Sequence, residues 1–251
     1  MAAYDFKDKV VLIAGGAKNL GGLLSREVAQ EGAKVVVHYN SDATRAEAED
    51  TVNAVKNLGS DAYMTQADLT KPANVEALFL EAKNTFGGID VAINTAGMVL
   101  RKPIVETSED EYDTMFDINA KAAYFFIKES GKHLNDHGKV ITVVTSLLAA
   151  FTDGYSTYAG GKSPVEHFTR AAAKEFAGRG ISVTAVGPGP MDTPFFYGQE
   201  TPERVGFHKS QSLNGDLTKI EDISPIIRFL ATDGWWITGQ TIFANGGYTT
   251  R

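Results

Sequence analysis

"AGGAKNLGG", residues 14–22, follows directly on the apolar run Val10-Val11-Leu12-Ile13. Four glycines in nine positions behind a strand-like run describe a bend in which backbone amides can approach an anion closely. Gly15 and Gly16 can take the turn, and Gly21 and Gly22 let the next helix close on the strand. That helix is expected to begin near Leu20, turning its free N–H groups and positive dipole end toward the bend. Asn19 stands where a further glycine would be expected. Asparagine enters positive φ more readily than other side-chain-bearing residues, so the backbone path can survive. The stretch does not spell G-x-G-x-x-G, and on its own it competes with a purely structural turn.

Working outward, strand-like runs alternate with helix-like stretches. The runs are 10–14, 34–39, 62–66, 89–93, 139–145, 181–186 and 240–244. Several are apolar almost without alternation, as in central strands of a parallel sheet covered on both faces. Between them lie amphipathic segments such as "LLSREVAQEGA", and "TRAEAEDTVNAVKNLGS" with its exit at Gly59. Repeated strand–helix–strand units imply right-handed crossovers. The expected fold is therefore α/β: one Rossmann-like domain over 1–251, a doubly wound parallel sheet of about seven strands with helices on both faces. The rhythm loosens only at about 188–218, where four prolines and several aromatics suggest a substrate-binding loop or lid.

Composition excludes several classes. A net charge of −7 argues against a nucleic-acid partner, since phosphate backbones attract basic faces. The absence of cysteine removes disulfides, thiolate metal sites and thiol nucleophiles. No apolar run approaches the roughly 20 residues a membrane helix needs, and the start "MAAYDFKDKV" carries two aspartates. A cytoplasmic protein without a membrane partner is expected. The five histidines form no metal-binding motif, and none is expected to hold a metal.

Tyr158 and Lys162, in "YAGGK", are four apart and share one face of a helix. A free phenol titrates near pH ~10, whereas a general acid or base works best near ambient pH. A neighbouring ammonium favours the phenolate, so the pair is suited to passing a proton to or from a carbonyl or alcohol oxygen. Ser146, at the end of the run "KVITVVTS", can donate a hydrogen bond to that oxygen. Thr145 is the alternative, because strand alternation turns only one of the two toward the site.

The ordered set of motifs resembles the short-chain dehydrogenase/reductase family over essentially the whole chain. "AGGAKNLG" is similar to its T-G-x-x-x-G-x-G loop, with Ala14 for the threonine and Asn19 for the middle glycine. "ADLT" (67–70), "NTAG" (94–97, with Thr95 for a second asparagine), Asn119 in "FDINAKAAYFF", Y-x-x-x-K and "VGPGPMDTP" (186–194) follow in the family's order. The spacing departs at one point: the family's serine precedes the tyrosine by thirteen residues, a distance matched by Thr145, while Ser146 is one residue nearer. The resemblance implies hydride transfer between a nicotinamide and a ketone or secondary alcohol, with Asn119, Ser146, Tyr158 and Lys162 catalytic. It implies that Gly15, Lys18, Asn19, Leu20 and Gly21 carry the pyrophosphate end. Asp68, Leu69, Asn94, Ala96 and Gly97 would flank the adenosine and nicotinamide ribose, and Pro188, Gly189, Met191 and Thr193 the nicotinamide.

Cofactor choice is expected at the end of the second strand. An acid there would bind a ribose hydroxyl and repel a 2′-phosphate. The sequence instead reads Tyr39-Asn40-Ser41, and Lys18 offers a counter-charge, so NADP(H) is expected ahead of NAD(H). Met98, Phe195 and Phe196 are the expected substrate contacts. A 3-oxoacyl thioester, a sugar, a steroid-like ring and a small xenobiotic ketone are all open as substrates, and a non-catalytic nucleotide sensor is the alternative from another class. The resemblance also implies a homotetramer or homodimer, pairing through helices around 108–131 and 155–178.

Overall fold

The computed structural model describes residues 4–250. Its strands are β1 (Val10–Ala14), β2 (Lys34–Tyr39), β3 (Ala62–Gln66), β4 (Val91–Asn94), β5 (Lys139–Val143), β6 (Ser182–Pro188) and β7 (Gln240–Ala244). Its helices are α1 (Asn19–Gln30), α2 (Arg45–Asn57), α3 (Pro72–Phe86), α4 (Glu109–Phe116), α5 (Ala122–His133), α6 (Ser156–Glu175), α7 (Pro194–Tyr197), α8 (Pro202–Ser210) and α9 (Ile220–Ala231). The strands form one parallel sheet in the order β3-β2-β1-β4-β5-β6-β7, the doubly wound arrangement expected from the alternation. Winding reverses between β1 and β4, where Leu12 lies opposite Val36 on one side and Ala92 on the other. In such sheets the crevice beyond the strand ends at this reversal is where ligands bind.

The unbroken apolar runs are explained by burial on both faces. In β1, Val11 and Ile13 pack with Leu24 and Val28 of α1, Val52 and Val55 of α2, and Ile223 and Ile227 of α9. Val10, Leu12 and Ala14 face the other way, onto Val75, Leu78 and Phe79 of α3 and Phe126 of α5. Local signals set the helix ends. Pro72 opens α3, and Gly87 ends it at φ +83°. Ser108 and Glu111 form a reciprocal capping box at α4.

The segment 188–218 is more ordered than a plain surface loop. It holds α7 and α8, each opened by a proline, and a parallel bridge between Met191 and Thr218 ties its two ends together. Between α4 and α5 the helix widens into a π-helical turn, Asp117–Lys121. Along this stretch Ala123 and Ile127 are core, while Tyr112 and Tyr124 are exposed. Among the described residues no helix is long and apolar enough to cross a membrane.

Candidate active site

The glycine bend lies at the sheet's winding reversal. Gly15 has φ +74°, and a Cβ there would stand 2.8 Å from Thr95 Oγ1. A Cβ on Gly21 would stand 2.1 Å from the Gly15 carbonyl oxygen, so α1 can enter this close only without one. Asn19 adopts φ +49°, the left-handed conformation read from its chemistry. Thr95 locks the bend to the strand by donating from Oγ1 to the Ala14 carbonyl at 2.8 Å.

A residue missed in the sequence reading braces this bend. His38, buried in β2, accepts from the Gly15 N–H through Nδ1 at 3.1 Å, and its Nε2 lies 2.8 Å from the Ala67 carbonyl. The two partners require a neutral ring, with the proton on Nε2. Burial lowers its pKa to about 4, against the smaller upward pull of the Ala67 hydrogen bond. A histidine in the middle of "KVVVHY" was the available signal.

The bend opens into a crevice of about 650 Å³, lined among others by Lys18, Tyr39, Asp68, Gly97, Tyr158 and Lys162. Asn19, Leu20, Asn40, Leu69 and Ala96 also reach it. Asp68 accepts from the Thr70 hydroxyl at 2.7 Å and from the Thr70 N–H at 3.0 Å, and the hydroxyl bond leads in holding its pKa below the usual carboxylate value. Lys18 pairs with Glu47 Oε1 at 3.2 Å, and the Arg45 guanidinium lies 5.9 Å from the centre of the Tyr39 ring. Two expected residues stand back from the crevice. Ser41 serves the turn Asp42–Thr44, its carbonyl accepting from Thr44 N at 2.9 Å and Oγ1 at 3.1 Å. Asn94 turns its side chain to the Ala96 N–H, bracing the strand end from behind.

Tyr158 and Lys162 project from the first turns of α6. The Lys162 ammonium is buried and donates to the Val143 carbonyl at 3.0 Å; burial lowers its pKa to about 8. Burial pushes Tyr158 up to about 12, with a hydrogen bond to Thr145 opposing. Among the protein's own groups, then, burial outweighs the phenolate-favouring effect expected of the lysine. Asn119 sits in the π-helical turn, and its side chain clasps Met98: Nδ2 donates to the carbonyl at 2.9 Å, and Oδ1 accepts from the N–H at 3.3 Å. A Cβ on Gly97 would stand 2.9 Å from Asn119 Oδ1 and 3.0 Å from Lys162 Nζ, so glycine lets the three groups meet.

The two candidate hydroxyls have different partners. Ser146 donates to the Gly187 carbonyl at 3.0 Å and accepts from Asn245 Nδ2 at 3.0 Å, both inside the protein. Thr145 is the hydroxyl that acts on Tyr158, opposing the rise that burial gives its pKa. β5 ends at Val143, and Thr145 caps the following helical turn by accepting from Leu147 N at 3.2 Å. The turn, rather than strand alternation, sets which side chain faces the tyrosine.

Beyond Tyr158 lies a second hollow, of about 80 Å³. Tyr158, Val144, Met191, Thr193 and Phe195 line both spaces, so the phenol stands where they join. Pro188 and Gly189 line this hollow rather than the crevice, as does Phe196. Met98, expected beside substrate, lines the crevice instead because Asn119 holds its backbone there. The far end of the hollow is made by Tyr155, Glu200, His208 and Tyr248, none foreseen from the sequence. They lie between 155 and 248, and no local motif joins them.

The crevice fits a phosphorylated dinucleotide by its own chemistry. It has a glycine cradle that a Cβ would fill, a helix N-terminus aimed at it, and cationic Lys18 and Lys71 along it. Thr193 Oγ1 is buried on its wall without a hydrogen-bond partner among the described residues, as a site awaiting a polar ligand group would be.

Comparisons with known proteins agree with this architecture. A family model described as enoyl-(acyl carrier protein) reductase matches residues 15–249. The chain is 31% identical over 250 residues to a short-chain type dehydrogenase/reductase of Picea abies, covering 95% of this chain and 92% of that one. It is 31% identical over 255 residues to an NADPH-dependent aldehyde reductase-like protein of Arabidopsis thaliana, covering 96% and 94%. Among solved structures it is similar to a dehydrogenase from Burkholderia cenocepacia with bound NADP, at 61% identity and a TM-score of 0.98, covering 100% of this chain and 97% of that one.

Proposed function

The chain belongs to the short-chain dehydrogenase/reductase family, and on that premise we propose that it is an NADP(H)-dependent oxidoreductase interconverting a ketone and a secondary alcohol. The observation that carries this reading is the position of Tyr158 at the junction of the large crevice and the small hollow, with Thr145 on the wall of the same hollow. When bound, the dinucleotide supplies or accepts the hydride. Tyr158 supplies the proton. Held protonated by burial, it enters the reductive direction as the acid and gives its proton to the oxygen that gains negative charge. Thr145 donates a hydrogen bond to the same oxygen. Lys162, pushed down to about 8, stabilises the tyrosinate left behind and is available to hold the nicotinamide ribose.

Thr193 would meet the carboxamide through its unpartnered hydroxyl, Asp68 and Leu69 the adenine, and the bend 15–21 the pyrophosphate. NADP(H) is favoured over NAD(H) because neutral Tyr39 and Asn40, rather than an acid, end β2 beside Lys18. The bound NADP of the Burkholderia cenocepacia structure supports the same choice. Assembly through α4–α6 as a homotetramer is part of the proposal, and exposed Tyr112 and Tyr124 are consistent with it.

The test is NADPH consumption, followed by absorbance, against a panel of ketones with wild type and Tyr158→Phe. The variant should bind NADPH normally and turn over roughly 10²–10⁴-fold more slowly. Activity undiminished by the substitution refutes the assignment.

A further inference from the structure

The far end of the hollow is built around one buried carboxylate, and its hydrogen bonds have a direction. Glu200 is 0% exposed at its side chain, and its Oε2 accepts from Arg204 Nε at 3.0 Å with Arg101 Nε at 3.8 Å. Its Oε1 accepts from the Tyr155 hydroxyl at 2.5 Å and lies 3.2 Å from His208 Nε2. On the other side of the imidazole, Nδ1 is 2.9 Å from the Tyr248 hydroxyl. Burial is the leading cause that lowers the His208 pKa, which favours the neutral ring. A carboxylate oxygen can only accept, so Nε2 carries the ring's proton. Nδ1 is therefore an acceptor, and the Tyr248 O–H must point at it.

Both phenols that line this end thus have their protons committed inward, Tyr155 to Glu200 and Tyr248 to His208. What remains for a guest on either oxygen is a lone pair. The charges also close on themselves: Glu200 and Asp153 face Arg101 and Arg204, with bonds of 3.1 Å from Arg101 and 2.8 Å from Arg204 to Asp153. Neither guanidinium lines the hollow, so among the described residues no surplus cation meets an anionic substrate there. Thr152, also on the wall, already accepts from Arg204 at 3.2 Å. The remaining walls include Val99, Leu147 and Phe196. A volume of about 80 Å³ is several times the roughly 10–15 Å³ that one water needs, and suits a few heavy atoms beyond the carbonyl.

We propose that this hollow selects compact, uncharged ketones carrying a hydrogen-bond donor, such as a hydroxyl, on the side away from the carbonyl. The donor is received by the lone pairs of Tyr155 and Tyr248. This rests on the ketone-reducing function proposed above. It assigns Tyr155 and Tyr248 as specificity determinants, with Glu200 and His208 positioning their hydroxyls.

The experiment compares kcat/KM with NADPH for hydroxyacetone, methoxyacetone, butanone and pyruvate, together with hydroxybutanone and pentanone. The methyl ether reproduces the electron withdrawal of the hydroxyl while removing its donor, so the hydroxy-to-methoxy ratio is the reading. One hydrogen bond predicts a ratio of about threefold to tenfold, with pyruvate a poor substrate. In Tyr155→Phe and Tyr248→Phe the ratio should fall toward one, with thermal melting checked for each variant. Turnover of plain ketones with a wild-type ratio near one, or a ratio unchanged in both variants, overturns the inference alone. A preference for the ether overturns it too, and would assign the contact to the Thr152 hydroxyl. No turnover of any ketone would instead remove the function on which it rests.

Discussion

The neutral His38 makes a quantitative prediction about acid stability. Its ring links the glycine bend to the "ADLT" stretch and can do so only unprotonated, because a proton on Nδ1 would face the Gly15 N–H. Its pKa falls from 6.5 in the unfolded chain to about 4 in the fold. Between these values the unfolded chain binds more protons, so the stabilising contribution is full above about pH 6.5 and is lost as the pH falls through about 4. Integrated over that window, the loss is about 3 kcal/mol, of which about 2 kcal/mol falls between pH ~7 and pH ~5. For a chain of this size that corresponds to roughly 4–8 °C in melting temperature. The assay is urea or thermal unfolding across this range, comparing wild type with His38→Asn, which retains an acceptor and a donor but does not titrate. The carboxylates contribute equally to both proteins, so the wild-type advantage should shrink as the pH drops. Parallel pH dependences would refute the reasoning, since they would mean that the histidine folds without shedding its proton.

Two further substitutions test the site. Thr145→Val should reduce kcat by about 10²-fold, the scale of one oxyanion donor, with a stability loss of about 1 kcal/mol for the lost cap on Leu147 N. Ser146→Ala should do the reverse, lowering stability by about 1–3 kcal/mol because the buried Asn245 and Gly187 groups lose their shared partner; equal kinetic losses for both would reject the assignment of Thr145. Lys18→Ala should narrow the NADPH-to-NADH ratio of kcat/KM severalfold, and more so at low salt, because the half-exposed ammonium is screened by ions. A preference for NADH that survives the substitution would remove Lys18 from cofactor choice.

Much of the architecture was legible because its determinants are local. The runs at 34–39, 62–66 and 240–244 coincide with β2, β3 and β7, since each is a short run rich in β-branched, aromatic or other apolar residues bounded by polar or glycine-bearing turns. Strand ends moved by a few residues where tertiary pairing took over: β6 continues through Pro188 because Ala244 of β7 lies opposite it. The loop reading at 188–218 underrated α7 and α8, whose prolines act as first-turn residues rather than as breakers. His38 went unread because one polar residue in an apolar strand carries no sign of the two backbone partners awaiting it.

The chain's local chemistry alone determined the winding of the sheet, the glycine bend with its left-handed asparagine, and the pairing of Tyr158 with Lys162 on one helical face. Each depends on spacings of a few residues, and backbone geometry converts those directly into space. Only the tertiary structure tied Ser146 to Gly187 and Asn245 and left Thr145 as the hydroxyl acting on the tyrosine. It also brought Tyr155, Glu200, His208 and Tyr248 together as the end of a hollow. These depend on the direction in which a turn leaves a strand and on segments nearly a hundred residues apart closing over one carboxylate. A buried charge holds such groups together because leaving it without donors would cost more than ordering them.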